Sequence, residues 1–343
     1  MTMVNKSNRQ LNIEILRIFS MLLITVWHIR VHFIEALHLE PSLSKTFMDY
    51  VVSFISFHVD LFILITGYFG IKNSKKGLLK TLSLIYFYSI TLNAVLWIVS
   101  GEFNLLETLT PLGNNTWWFM TMYTVMLMIA PIIENYICGC DNKGIYLLVA
   151  GGLFVNLYLG YFNHVGGIYN SSSGMVNFIC MYLLGVYIRK EGENLMQALP
   201  PPHGRILLIA TILIVVALQY KLMPYMTWPQ MTEYCAPYPI VMSVLVFLLF
   251  LSVNIPECFR KPILFLSSSA IAVYLITDHA AIRNMLSKLF AEWYLPYQNS
   301  IYGILIIISF TFIAYICSCI IDKFRIPVTD FLNRRLSRLL NIR

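Results

Sequence analysis

From Leu11 to Glu35 the chain reads LNIEILRIFSMLLITVWHIRVHFIE. Its apolar part is long enough to cross the hydrocarbon core of a bilayer, which takes about 20 residues in a helix rising ~1.5 Å per residue. Three ionisable groups, Glu14, Arg17 and His28, interrupt that run. Such groups cost a few kcal/mol at the centre of a membrane helix and usually mark a function. The reading of this stretch therefore settles both the solvent of the protein and the first place to look for chemistry.

Working outward, apolar runs of the same length recur to the far end of the chain. The spans are placed at about 15–35, 50–70, 79–100, 117–137, 144–162, 175–189, 205–223, 238–254, 262–282 and 300–321. Turn-forming clusters separate them, among them Gly113-Asn114-Asn115, Ser171-Ser172-Ser173-Gly174 and Pro200-Pro201-Pro202. Hydrophobic residues make up 58% of the 343 positions and charged ones only 12%, half the share of a soluble domain. Mean hydropathy is +0.70. Inside lipid every backbone polar group must be satisfied locally, so the spans are helices. The expected fold is all-α: a polytopic transmembrane helical bundle of about ten spans. It forms one domain over residues 10–325, followed by a basic tail, 326–343. The polar start Met1–Gln10 carries no cleavage signal, so the first run is expected to stay as a span.

Basic residues orient the bundle. With ten spans both termini share a side, and 18 of the 24 Lys and Arg fall there, including the loop of Lys72, Lys75, Lys76 and Lys80. Five fall on the other side. The asymmetry predicts both termini in the cytoplasm and a multi-pass protein of the inner (plasma) membrane. It also accounts for the net charge of +7 without a nucleic-acid partner, and the tail is expected to rest on anionic lipid. The seven cysteines show no CxxC pair and no zinc-like spacing with His, so they read as small buried hydrophobes and no metal is expected.

Arg17 and His28 lie eleven residues apart. At ~100° per residue they differ by about 20° in direction and by roughly 16 Å in height. They are expected to look into one protein-lined cavity, Arg17 near the cytoplasmic face and His28 deeper. Glu14 can hold the guanidinium through an i,i+3 ion pair. The alternative makes Arg17 a snorkelling anchor and His28 a helix–helix hydrogen-bonding residue. Farther along, His58 and Asp60 fall in the second span and Asp278 and His279 in the ninth. A carboxylate in an apolar helix needs a partner, and Asp60 or Asp278 bonded to His28 would orient its ring and raise its basicity. Trp117-Trp118 suits an interfacial anchor, though an indole also stacks on a sugar face. The lysine loop is foremost a topology signal, and it also suits the phosphates of a nucleotide-like donor.

These positions resemble the acyltransferase type 3 family. Asn12 through Arg17 to Trp27-His28 is similar to its first helix, an Arg, ten residues, then a His. The likeness continues in order through Val59–Tyr68, Trp118-Phe119 with Tyr123 and Pro131, Phe178–Arg189 and Ser267–Asp278. It departs at Thr66, where Ser is usual, and at Thr277, where many members have His. The resemblance implies a ten-span enzyme that takes an acyl group, acetyl by analogy, from a coenzyme A thioester and delivers it to a hydroxyl of an envelope or exopolysaccharide glycan or lipid-linked sugar. On that reading Arg17, with Lys72, Lys75 and Lys76, holds acetyl-CoA. His28 is general base or acyl carrier, supported by Glu14, Asp60 and Asp278, while Trp118, Tyr123 and His279 face the acceptor. The rival class is a transporter or flippase of a lipid-linked glycan. Such proteins also hold charge at mid-membrane, but on paired broken helices in repeated halves, and no internal repeat is visible here.

Overall fold

The computed structural model describes residues 9–38, 41–71, 74–101, 103–113, 116–165 and 174–342. Among them there is no strand. Among the described residues nine helices are long and apolar enough to cross a membrane: α1 Leu11–Leu37, α2 Leu43–Phe69, α3 Lys75–Ser100, α4 Trp118–Cys138, α5 Asn142–Phe162, α7 His203–Tyr225, α8 Gln230–Leu251, α9 Glu257–Thr277 and α11 Ile301–Leu339. Between α5 and α7 runs α6, Met175–Ala198, whose charged second half (Arg189, Lys190, Glu191) dilutes its apolar character. It is nonetheless central to the bundle. A Cβ added at Gly67 of α2 would lie 2.1 Å from the Tyr182 carbonyl oxygen of α6, and one at Gly185 would lie 2.3 Å from that of Leu64. The two backbones meet where neither side has a side chain, the close approach that small residues permit between membrane helices. The protein is a polytopic helical bundle, as its sequence predicts.

Several elements depart from straight spans. α1 is regular from Leu11 to His28, then widens into π-helical turns over Ile29–Ile34 and ends in a 3-10 turn at Leu37. α2 breaks at Ser56-Phe57 between Leu43–Ile55 and His58–Phe69. A carbonyl freed at that break finds a partner inside the protein, as depth in a membrane requires, and α1 ties down the start of the second half. His58 Nδ1 lies 2.7 Å from the Ile55 carbonyl oxygen, and Ser20 Oγ donates to the carbonyl of His58.

The ninth span was expected to run over 262–282. Instead α9 stops at Thr277 and a separate helix α10, Ala280–Tyr294, begins after two intervening residues. Asp278 and His279 therefore occupy the corner between two helices, where the carboxylate meets polar neighbours and the imidazole is buried inside the protein. The last span continues as one helix of 39 residues to Leu339, so most of the basic tail extends α11. It is fixed against α3 by a 2.7 Å hydrogen bond from Ser83 Oγ to Asn333. A first core fills the middle of the bundle. A second, with Ile29, Phe33 and Ile34 of α1 against Phe290 and Phe310 of α10 and α11, anchors the widened end of α1.

Candidate active site

His28 closes the regular part of α1, and four residues on, His32 follows it on the same side of the helix with ring centroids 5.2 Å apart. Both line a cavity of about 270 Å³ enclosed by α1, α2, α4, α8 and the α9–α10 corner. The His28 ring packs on Tyr274, centroids 5.9 Å apart, and its Nδ1 is buried without a hydrogen-bond partner among the described residues. His32 Nε2 stands 3.5 Å from Oδ1 of Asp278, and Arg283 donates to the same oxygen at 3.3 Å. Asp278 is buried, so this carboxylate is held between an imidazole and a guanidinium with little water to screen them.

The opposite wall is aromatic. With Nδ1 committed to the broken backbone of α2, His58 presents Nε2 3.4 Å from the Tyr234 hydroxyl. Tyr234 in turn stacks on Trp118, centroids 5.9 Å apart and 17° between planes. Trp27 leans on both His58 and Tyr234. A second cleft of about 530 Å³, lined by Asn104, Glu107 and Thr110, shares Thr116, Asp278 and Arg283 with the cavity. The histidine pair thus looks toward an opening at the end of the bundle away from Arg17.

The sequence candidates divide accordingly. His28, Asp278 and Trp118 come together around the cavity. Arg17 makes the predicted i,i+3 pair, donating to Glu14 at 2.7 Å, and its guanidinium lies 5.6 Å from the centre of the Phe69 ring. It is not one of the cavity's lining residues. The stripe Arg17, Met21, Ile24, His28 is continuous, but the two apolar members between form the cavity floor, so the guanidinium sits one turn beneath it. The expectation of a single shared chamber is corrected on that point: hydrocarbon fills the turns between the two polar groups.

Asp60 is fully buried away from the cavity. It accepts a 2.8 Å hydrogen bond from Asn177, which accepts one from Asn156 at 2.9 Å. Its partner is an amide, and the carboxylate beside the histidines is Asp278, facing His32 rather than His28. Tyr123 stacks on Phe119, outside the cavity. His279 is buried against Trp117, centroids 5.8 Å apart, with neither ring nitrogen hydrogen bonded among the described residues. Lys72 lies outside the described residues. Lys75 is exposed, and Lys76 lines a basic groove of about 290 Å³ with Lys80, Arg334 and Arg338.

Sequence reading passed over His32 and Arg283. The first carried a signal, a second imidazole one turn after His28. The second had none, because α10 was read as a loop. His28, His32 and Asp278 offer donor atoms within 4.8 Å of one another, close enough to converge on a cation. Arg283 already supplies a positive charge to that carboxylate.

The arrangement offers imidazole bases beside a buried carboxylate, an aromatic wall and a polar mouth. That suits proton removal from a hydroxyl and attack on a carbonyl. A family model described as an acyltransferase domain matches residues 10–321. No curated protein and no solved structure matches the chain. With nearly the whole membrane bundle inside that match, the chain belongs to the acyltransferase type 3 family and is a membrane acyltransferase.

Proposed function

We propose that the protein moves an acyl group, acetyl in the simplest case, from an acyl-CoA donor to a hydroxyl of an envelope or exopolysaccharide glycan, with His28 at the reacting centre. The observation that carries this is the cavity that joins His28, His32 and Asp278 and opens away from Arg17. The basic end is then the cytoplasmic end. Arg17, on its stripe below the cavity floor, is assigned to phosphate or carbonyl oxygens of the donor.

In the transfer the acceptor hydroxyl gives its proton to His28 as its oxygen attacks the thioester carbonyl. The carbon–sulfur bond breaks, and the coenzyme A thiolate leaves and takes up a proton. The same imidazole can first accept the acyl group at nitrogen and pass it on in a second step. His32, against Asp278, holds a second imidazole in line with the first and offers the proton an exit toward the mouth. Trp118, stacked on Tyr234, forms a flat apolar wall for the acceptor ring.

The test is to replace His28 by Ala in the producing cell and measure ester content of the envelope glycans by mass spectrometry. Loss of the ester with normal protein accumulation is expected. Full esterification by the variant rejects the assignment.

A further inference from the structure

On the far side of α1 from His28 lies a larger hollow, about 720 Å³, that the transfer chemistry does not use. Arg30 is two residues past His28, about 200° around the helix, so the two side chains leave α1 in opposite directions. Tyr50, Tyr220, Tyr225 and Trp228 surround the hollow, with Arg30 and Asp49 among them. The rings are open to a ligand: Tyr225 is 86% exposed, and Tyr50 and Tyr220 are about half exposed, centroids 6.1 Å apart.

The polar groups are built in. Arg30 is only 6% exposed. Its Nε donates to Asp49, its Nη1 donates to Glu35 at 2.6 Å, and its guanidinium lies 5.4 Å from the centre of the Trp228 ring. Two carboxylates thus hold the guanidinium beside the indole.

The geometry points to a glycan-holding groove: several flat aromatic faces around a fixed ion pair, binding pyranose rings of the acceptor outside the catalytic cavity. A sugar ring has one face of C–H bonds that packs on indole or phenol and a rim of hydroxyls for Asp49 and Arg30. The volume fits more than a single ring, being within the range of ligand pockets at about 300–1,000 Å³. Tyr and Trp also gather at membrane interfaces to face lipid. Here they line a hollow that also holds Arg30, Asp49 and Lys221, a charged and hydrogen-bonding set that disfavours acyl chains.

The hollow also adjoins the reaction site. At its floor Ser53 Oγ lies 4.0 Å from Met231 Sδ, and His58 and Tyr234 of the cavity follow a few residues later on the same two strands of chain. Holding neighbouring sugars there raises the local concentration of the reacting one. This inference rests on the glycan acceptor proposed above.

Its test is binding, measured separately from transfer. Polysaccharide from the host envelope is stripped of esters by mild alkali and cut into fragments of graded length. Calorimetry then follows their binding to the full-length His28→Ala protein in detergent, without donor, and to the same protein carrying Tyr225→Ala and Trp228→Ala. Affinity is expected to rise with fragment length in the first, and the double variant to lose about tenfold or more for the long fragments. Trp228→Phe restores most of the loss.

Absence of binding by the first protein overturns the groove, as does equal binding by the double variant. Equal loss at every length accompanied by a lowered melting temperature overturns it too, since the rings would then be structural. Because the reference protein already lacks His28, esterification surviving His28→Ala defeats the catalytic reading alone and leaves this measurement standing.

Discussion

His32 holds its Nε2 3.5 Å from the Asp278 carboxylate, one turn beyond His28 on the same helix. Asp278 in turn is fixed by Arg283 from α10. The chain of groups runs from a guanidinium at the mouth to an imidazole at the reacting position.

Replacing His28 by Ala is expected to lower glycan acylation by a factor of about 10²–10⁴, the usual worth of a positioned base, and by more if the ring also carries the acyl group. Transfer assayed with purified protein and labelled donor checks this. The side chain borders an open cavity, so the variant should melt near the parent temperature.

Asp278→Asn keeps the shape of the side chain and removes its charge. Hydrogen bonds to charged groups are worth about 1.5–3 kcal/mol, so a drop in turnover of roughly 10–150-fold is expected. His32→Ala combined with it should cost little more than either change alone, because the two act through one contact. Additive losses in that double-mutant cycle would separate them.

At Arg17 the expected effect is on the donor. Arg17→Gln alone leaves the buried Glu14 carboxylate without its near partner, so it is made together with Glu14→Gln. The pair of changes is predicted to raise the donor concentration for half-maximal rate about tenfold while transfer at saturation falls less. An unchanged donor dependence shows that Arg17 serves only the helix.

Asp60→Ala tests a carboxylate that the cavity does not contain. It strips Asn177 of its acceptor, and through it loosens Asn156. Loss of about 1–3 kcal/mol of stability is expected, read as a lowered melting temperature in detergent, with the donor dependence of folded protein preserved. A folded variant with no turnover would return Asp60 to the chemistry.

Gly185→Val places methyl groups where Leu64's carbonyl already lies 2.3 Å from a bare Cβ position. Overpacking of this kind costs about 1–3 kcal/mol or more. Accumulation of the protein in membranes should fall, and the same change at Gly151, whose added Cβ meets nothing within 4 Å, should be tolerated.

Composition and apolar run length were enough to read the bundle, because lipid leaves a chain few other solutions. Two parts of it were not legible. The charged half of α6, beyond the span read at 175–189, looks unlike a membrane helix, and α6 is seated instead by Gly185 in its apolar half against Gly67 of α2. The corner at Asp278 was hidden because α9 and α10 read as one apolar stretch followed by a loop.

Within the site, His28 was legible from its mismatch with its surroundings. Arg17 was read correctly in direction but not in reach, since a helical wheel shows which way a side chain leaves and not what fills the turns between. His32 and Arg283 came into view only when helices distant in sequence were placed side by side.

The widening of α1 just after His28 has a bearing on how the two ends of that helix are timed to each other. In regular winding Ile34 would leave the axis about 140° away from Ile29. In turns closed five residues on, residues four and five apart straddle the same line, and Ile29, Phe33 and Ile34 all enter the second core. The swelling works as a phase shifter: it lets the lower barrel of the helix aim His28 inward while the upper barrel keeps its own grip on α10 and α11. Excising one residue between Val31 and Ile34 would reset that angle, so the chain could keep its histidine or its upper anchorage, but not both.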